Sequence, residues 1–168
     1  MNAPESSRRT CEECTLCCFT HGVSGSEGED FLHKPEDEWC RHSGIGTGCA
    51  IYESRPKVCR DFHCGWLIGL GSEEDRPDKT NVVIQRFSIY IGQGASAMVV
   101  KMVEAVPHSI AAASIQAIIA AQVEKRDLVE LSFCDGTREL RVRKGVYVPY
   151  DILDHCKKKN IPVIRVGS

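Results

Sequence analysis

The residues of this chain with the clearest chemistry are its cysteines, which are concentrated near the N-terminus. Of the ten cysteines, eight lie within the first 64 residues, and the rest of the chain holds only Cys134 and Cys156. The eight are Cys11, Cys14, Cys17, Cys18, Cys40, Cys49, Cys59 and Cys64. A CxxC turn lets two thiolates converge on one metal ion at about 2.3 Å from each sulfur. The spacing therefore predicts that these eight cysteines are metal ligands.

An even number of cysteines in a short segment is also typical of a secreted, disulfide-stapled domain. The first ten residues, MNAPESSRRT, contain arginines, but no apolar segment follows them, so the sequence predicts no secretory signal. The longest mostly apolar stretch, 110–123, falls short of the roughly 20 residues that a membrane span requires. We therefore expect a cytoplasmic protein with reduced thiols and no membrane partner.

Charge is distributed unevenly along the chain. Residues 1–79 carry 9 Lys and Arg against 15 Asp and Glu, whereas residues 80–168 carry 12 against 8. A nucleic-acid-binding module usually presents a basic stripe, and here the cysteine-rich part is acidic. This balance argues against zinc-finger-like recognition of DNA and against any nucleic acid partner.

The sequence divides into a cysteine-rich metal-binding module, 1–71, a charged linker, 72–79, and a second domain, 80–168. Large apolar residues are sparse in the module, and the segment SGSEGED at 24–30 predicts a flexible loop. A structural zinc site contributes on the order of 10 kcal/mol of folding free energy, which can replace a missing apolar core. We predict that metal stabilises this module and that chelation unfolds it.

Three motifs follow one another in the module: CxxCxxCC at 11–18, GCAIYESRP at 48–56 and CRDFHC at 59–64. In this combination the sequence resembles the YkgJ-like CxxCxxCC cysteine-cluster family over residues 11–66. Members are described as zinc- or iron-chelating domains, so the resemblance implies metal chelation and little else about activity. It does not extend to residues 80–168.

Eight thiolates leave three arrangements open: two four-sulfur zinc sites, one shared two-metal cluster, or one four-cysteine iron–sulfur site with the other cysteines structural. Cys17 and Cys18 are informative because adjacent side chains diverge and rarely bind one ion together. We expect them to serve two centres, or one of them to be packed. The bacterial ferredoxin run CxxCxxCxxxCP differs in its last spacing and its proline. Tetrahedral thiolate chemistry makes zinc the first expectation, and iron or an iron–sulfur cluster the second.

Other side chains close to the cysteines in sequence could modify such a centre. The guanidinium groups of Arg55 and Arg60 could offset thiolate charge, or could instead pair with acids at the surface. His21, His42 and His63 could each replace a cysteine as a ligand, although a histidine beside a cysteine ligand is more often a bystander.

Hydrophobic periodicity predicts an α+β fold for residues 80–168. Alternating apolar residues indicate strands, the Asp135-Gly136 pair is a preferred hairpin turn, and isoleucines at helical spacing indicate a long helix. The predicted strands are 80–91, 97–104, 128–134, 137–143 and 161–166, and the predicted helices are 107–125 and 151–159. We expect a mainly antiparallel sheet with one long and one short helix on one face.

No catalytic constellation emerges in this second domain. We expect Cys134 and Cys156 to be packed core thiols, and His108 and His155 are isolated in the sequence. Glycine-rich phosphate loops and the GxSxG elbow of serine hydrolases are absent from the sequence.

Three functions are consistent with this pattern to different degrees. The first is a non-enzymatic metal-binding protein, in which thiolates hold zinc or iron and the second domain docks an unidentified protein partner. The second is an iron–sulfur protein whose second domain forms a substrate cleft for redox or cluster-assisted enzymatic chemistry. The third, a zinc hydrolase using Glu12, Glu13 or His63, is disfavoured because an all-thiolate site is normally closed and inert.

Overall fold

The computed structural model describes residues 9–24, 33–92 and 94–167. Most of the predicted loop at 24–30 therefore lies outside the described residues. Short elements make up the cysteine-rich part. They are α1 (Cys17–Thr20), β1 (Ser43–Gly44), β2 (Gly48–Cys49), α2 (Lys57–Asp61), a 3₁₀ helix (Glu73–Asp75) and α3 (Pro77–Thr80).

Residues 80–167 form a five-stranded sheet with two longer helices. The strands are β3 (Val82–Gly92), β4 (Ala95–Glu104), β5 (Leu128–Ser132), β6 (Arg138–Arg143) and β7 (Val163–Val166), and the helices are α4 (Ala113–Glu124) and α5 (Tyr150–Lys158). Strand order in the sheet follows the order along the chain. The predicted α+β class and both predicted hairpins are confirmed.

The sheet is mixed because hairpins and helical crossovers alternate. Strands β3 and β4, and strands β5 and β6, pair antiparallel across short turns. Strands β4 and β5 pair in parallel, as do β6 and β7. Each parallel pair is joined through a helix, α4 or α5, since parallel neighbours require a long crossover connection.

The two helices lie on opposite faces of the sheet, so the prediction that both cover one face is wrong. Val100 and Met102 share an apolar cluster with Ile115 of α4, whereas Val99, which points the other way, shares a cluster with Cys156 of α5. Strands β4 and β6 run in opposite directions, and each begins a crossover to a parallel neighbour. Crossovers of the same, right-handed sense then place their helices on opposite faces.

The main core lies between α4 and the sheet. The isoleucine stripe of α4 is buried as predicted, and Ile115 is fully buried. Helix α4 begins later than predicted, at Ala113, because His108 has a left-handed backbone (φ 70°) and Ala112 is extended. The preceding residues form a separate 3₁₀ turn, Ser109–Ala111, whose Ile110 completes the core.

The cysteine-rich part packs against the start of β3. Leu16, Cys64 and Trp66 form an apolar cluster around the fully buried Val83. The Gly65 N–H donates to the Ile84 carbonyl at 2.6 Å. A Cβ at Gly65 would lie 2.8 Å from Ile84, so this close approach requires glycine.

A clamp formed by Arg9 fixes the segment that follows Cys64. Its guanidinium donates to the carbonyls of Trp66 at 2.7 Å and Gly71 at 3.0 Å, and it stacks 4.9 Å from the centre of the Trp66 ring. The predicted linker, 72–79, forms two short helices, and its Asp75 is buried and accepts hydrogen bonds from Ser72. No helix in the described residues is long and apolar enough to cross a membrane.

Candidate metal centre

Seven of the eight predicted ligands surround a single cavity of about 290 Å³. They are Cys11, Cys14, Cys17, Cys18, Cys40, Cys49 and Cys59. Four of these also line a smaller adjoining cavity of about 40 Å³, whose wall is completed by Cys64. The structure thus brings together residues that are up to 53 positions apart in the chain. All ten cysteines are free thiols.

Tight turns position the first four thiols. The Cys14 N–H donates to the Cys11 carbonyl at 2.8 Å, which closes the first CxxC turn. The Cys18 N–H donates to Thr15 at 2.8 Å, at the start of the one-turn helix α1. The Cys40 N–H donates to the Cys18 carbonyl at 3.0 Å, which ties the distant loop at Cys40 to α1.

The remaining ligands come from three other small elements. Cys49 lies on the β1–β2 hairpin, whose strands pair Ser43 with Cys49. Cys59 lies on α2, which begins after Pro56, where proline favours a helix start. Cys64 lies beside the sheet, where it is buried in the cluster around Val83.

The electrostatic neighbours of the thiols favour two groups of four, although Cys18 also acts on Cys11 and Cys59 lines the small cavity with the first group. Coulomb interactions weaken with distance, so the thiols that act most on one another are neighbours. Burial, together with the neighbouring Cys64 and Cys14, raises the pKa of Cys11 to about 11. The pKa of Cys59 is raised by burial and then by Cys18, Cys40 and Cys49. We name these the first quartet (Cys11, Cys14, Cys17, Cys64) and the second quartet (Cys18, Cys40, Cys49, Cys59).

Cys17 and Cys18 lie at the boundary between the two quartets and interact with each other. A hydrogen bond between them, together with burial, raises the pKa of Cys17. The same hydrogen bond lowers the pKa of Cys18 to about 7, assisted by the charges of Lys34 and Arg55 and opposed by burial. Of the two thiols, Cys18 therefore gives up its proton more readily.

Backbone amides stabilise several of the sulfurs in the thiolate form. Burial raises the pKa of Cys14, and hydrogen bonds from the Leu16 and Asp78 backbone oppose this rise. Burial likewise raises the pKa of Cys64, against hydrogen bonds from the backbone of Leu67 and Trp66. The His42 N–H donates to Cys40 Sγ at 3.5 Å. Amide donors of this kind are typical outer contacts of metal-bound ligands.

Two cations offset thiolate charge, and the sequence indicated only one of them. Arg55 lines the large cavity, stacks 3.5 Å from the centre of the Tyr52 ring, and lowers the pKa of Cys11 and Cys18. Lys34 also lines the cavity, and it is only 5% exposed. Its ammonium donates to three carbonyls: Phe19 at 3.0 Å, Pro35 at 2.6 Å and Glu38 at 2.7 Å. No motif marks this lysine in the sequence, because its role depends on burial.

The three histidines and Arg60 differ in whether they line the large cavity or lie exposed at the surface. His21 and His42 line the large cavity, whereas His63 is exposed and its Nδ1 lies 3.0 Å from the Asp61 carbonyl oxygen. His21 packs 4.7 Å from Phe62, and burial lowers its pKa to about 4. Arg60 is exposed and donates to the Arg55 carbonyl, which helps to orient Arg55.

The thiols surround the cavity without converging on one point. Among residues 9–24, 33–92 and 94–167, no group of three or more His, Cys, Asp and Glu side chains is arranged to hold a single metal ion. Tetrahedral ligands at about 2.3 Å from one ion would place their sulfurs about 3.8 Å apart. The donor type fits zinc or iron, but within the described part of the chain three or more donors are not drawn together as ligands of one ion.

The two remaining cysteines differ from each other. Cys156 is 4% exposed and packs in the core beside α5, as predicted. Cys134 is exposed near the β5–β6 turn, so its predicted burial is wrong. In this turn the Asp135 carboxylate accepts a hydrogen bond from the Thr137 N–H. The exposed Cys134 thiol lies 3.4 Å from the Glu104 carbonyl oxygen.

Comparison of the chain with protein-family models, with curated proteins and with solved structures finds no match. The resemblance to the cysteine-cluster family therefore stays a prediction based on the three sequence motifs.

Proposed function

We propose that the protein binds metal through two thiolate quartets at its N-terminal end. The observation that carries this proposal is the shared cavity, around which seven thiols from four separate chain segments are collected. Neutral thiols are readily buried one at a time, but seven of them around one cavity exceed what packing requires, and thiolates are the ligands that zinc and iron prefer. Metal coordination would supply the folding energy that the sparse apolar cluster around Val83 lacks.

Zinc is the first candidate for both quartets. Four thiolates satisfy the tetrahedral preference of zinc, and a site of this kind is structural and closed. Lys34 and Arg55 would offset part of the negative charge of the second quartet. This chemistry requires reduced thiols, so the proposal includes a reducing compartment such as the cytoplasm.

An iron–sulfur cluster is the second candidate, and one observation favours it. The cavity of about 290 Å³ is far larger than a single ion needs, and its thiols lie around the rim. A multi-atom cluster held by four thiolates would occupy such a space. This candidate leaves open a redox or enzymatic role.

Serine variants test the proposal and the division into quartets. We expect Cys14→Ser and Cys49→Ser each to lose about half of the bound metal, since each removes a ligand from one quartet. Cys134→Ser is the matched control, because this thiol lies outside both cavities. Metal content is measured on protein purified without oxygen.

Two results would contradict the account at different levels. Unchanged metal content in both Cys14→Ser and Cys49→Ser would remove the thiols from the ligand set and overturn metal binding there. Loss of all metal from each single variant would instead show one shared centre and overturn the two quartets.

A further inference from the structure

A second cavity, of about 210 Å³, lies between the cysteine-rich part and the sheet, and we name it the polar cleft. His21 and Gly22 form one wall, and Glu36 and Asp37 form the rim. The floor is the face of the sheet that also carries α5. Its polar side chains are Gln85, Lys101, Ser132 and Arg138.

Strand register explains why polar groups meet at this floor. Gln85 of β3 lies opposite Lys101 of β4, and Lys101 lies beside Glu130 of β5. Ser132 of β5 lies opposite Arg138 of β6. Residues in register share a face, so these side chains form a continuous polar patch across four strands.

Three polar groups in this cleft lack partners. Glu104 lines the cleft and is only 4% exposed, and its Oε2 has no hydrogen bond. The Ser132 hydroxyl has no hydrogen bond, although the residue is only 8% exposed. Within the described part of the chain, no hydrogen bond or ion pair engages the half-buried ammonium of Lys101. By contrast, Arg138 lies 3.9 Å from Glu130. An unsatisfied buried polar group destabilises the folded protein, and a bound ligand that pairs with it would remove that cost.

The cleft is lined by groups of both charges. Lys101 and Arg138 lie on the sheet, Glu36 and Asp37 are exposed acids, and Glu104 is a buried acid at the end of β4. Beyond burial, which lowers the pKa of His21 most, Lys101 lowers it and Glu36 raises it, so both charges act on this cleft residue. A site lined by both charges matches a molecule that also carries both.

We propose that the polar cleft binds a small zwitterion of the amino-acid type. Its carboxylate accepts hydrogen bonds from Lys101 and Ser132, and its ammonium faces Glu36 and Asp37. The volume is below the range of about 300–1,000 Å³ that is typical of drug-sized ligands, which restricts the occupant to a small molecule. This proposal goes beyond metal binding, because none of these four residues is a thiol ligand.

The probes are the twenty common amino acids, each at 10 mM, and the measurement is the melting temperature of the full chain purified without oxygen. We expect at least one amino acid to raise the melting temperature by about 3–5 °C, as a ligand that binds only the folded state does. The same acid without its amino group should give a much smaller rise, because the ammonium contact is then missing.

Lys101→Met is the deciding variant, and Lys144→Met, at an exposed lysine, is its matched control. The rise should vanish in Lys101→Met and persist in Lys144→Met. Without ligand, Lys101→Met should melt no lower than the wild type, since methionine fills the site without an unpaired charge. If Lys101→Met does not fold, Lys101→Arg and Ser132→Ala replace it. The rise in melting temperature should persist in Lys101→Arg, which keeps the charge. It should be smaller in Ser132→Ala, which removes the hydroxyl.

The proposal is overturned if no amino acid shifts the wild-type melting temperature. It is also overturned if the rise persists in Lys101→Met, or if the compound without an amino group is equally effective. Metal content is measured on the same samples, so loss of ligand binding with metal retained separates failure at Lys101 from failure at the thiols.

Discussion

Lys34 helps to hold the loop that positions Cys40 of the second quartet. Its buried ammonium ties the carbonyls of Phe19, Pro35 and Glu38 together, and thereby joins α1 to the loop that leads to Cys40. Burial lowers the pKa of Lys34, while the neighbouring Cys40 and Cys18 raise it. The lysine therefore acts both as a clamp and as a countercharge.

We predict that Lys34→Ala lowers the free energy of unfolding by about 2–3 kcal/mol, because three carbonyls lose a charged donor. The same variant should lose metal more readily to a chelator. Lys57→Ala, at an exposed lysine paired with Asp61, is the control and should change stability by less than about 0.5 kcal/mol. Urea unfolding measures both, and equal losses in the two variants would contradict a clamping role for Lys34.

His21 predicts a pH dependence of stability. Its pKa is about 4 in the folded protein, against an ordinary value of 6.5. The unfolded state therefore binds more protons between pH 6.5 and pH 4, and stability falls as the pH is lowered through this window. At pH 5 the loss from this group should be about 1–2 kcal/mol relative to pH 7.

The comparison of His21→Gln with the wild type isolates this contribution from other acid effects. The variant should lose less stability than the wild type between pH 7 and pH 5 in urea unfolding. His63→Gln, at an exposed histidine, should retain the wild-type dependence. Identical pH profiles for the wild type and His21→Gln would show that burial does not depress this pKa.

At the scale of elements, α4 and the sheet carry a core that is independent of the thiols. We predict that Ile119→Ala, in the interior of this core at 3% exposure, lowers the free energy of unfolding by about 3 kcal/mol. Ile164→Ala, on the edge strand β7 at 36% exposure, should cost less than about 1 kcal/mol. Denaturant unfolding checks both, and similar losses would mean that α4 does not form the main core.

Local signals in the sequence predicted most elements of the sheet but not how they are arranged. Apolar alternation and the Asp135-Gly136 turn identify hairpins because these features act over a few residues. The parallel pairing of β4 with β5 depends on the crossover through α4, which is a long-range event. For the same reason the face occupied by α5 was not predicted correctly.

The candidate site shows the same division between local and distant information. Cysteine type and spacing marked all eight thiols, and the structure collects them around two adjoining cavities; metal binding by them stays a prediction. Burial of Lys34 and the unpaired Lys101 arise from contacts between distant segments. Neither lysine lies in a motif, so the sequence alone could not single them out.

At the scale of the whole molecule, the two parts draw on different sources of stability. The sheet and its helices bury two apolar clusters, whereas the cysteine-rich part shares one small cluster at Val83. A zinc-dependent module unfolds when its metal is removed. We therefore predict that chelation under reducing conditions unfolds the cysteine-rich part and leaves the sheet folded.

The positions of the two tryptophans make this prediction measurable, because Trp39 and Trp66 both lie in the cysteine-rich part. Chelation should shift tryptophan emission to longer wavelength, while slow hydrogen exchange persists at the amides of β4 and β5. Fast hydrogen exchange at the amides of β4 and β5 after chelation would show that the whole chain depends on metal. Unchanged emission with metal removed would show that the cysteine-rich part folds without it.

The central claim is that thiolates in this protein bind metal, and elemental content together with the visible spectrum tests it most directly. The protein is purified without oxygen and without added metal. The account predicts about two zinc ions per chain and no colour. Brown protein with iron and acid-labile sulfide would keep the thiolate ligands and favour the iron–sulfur candidate. Protein that is folded, reduced and free of metal would contradict the account.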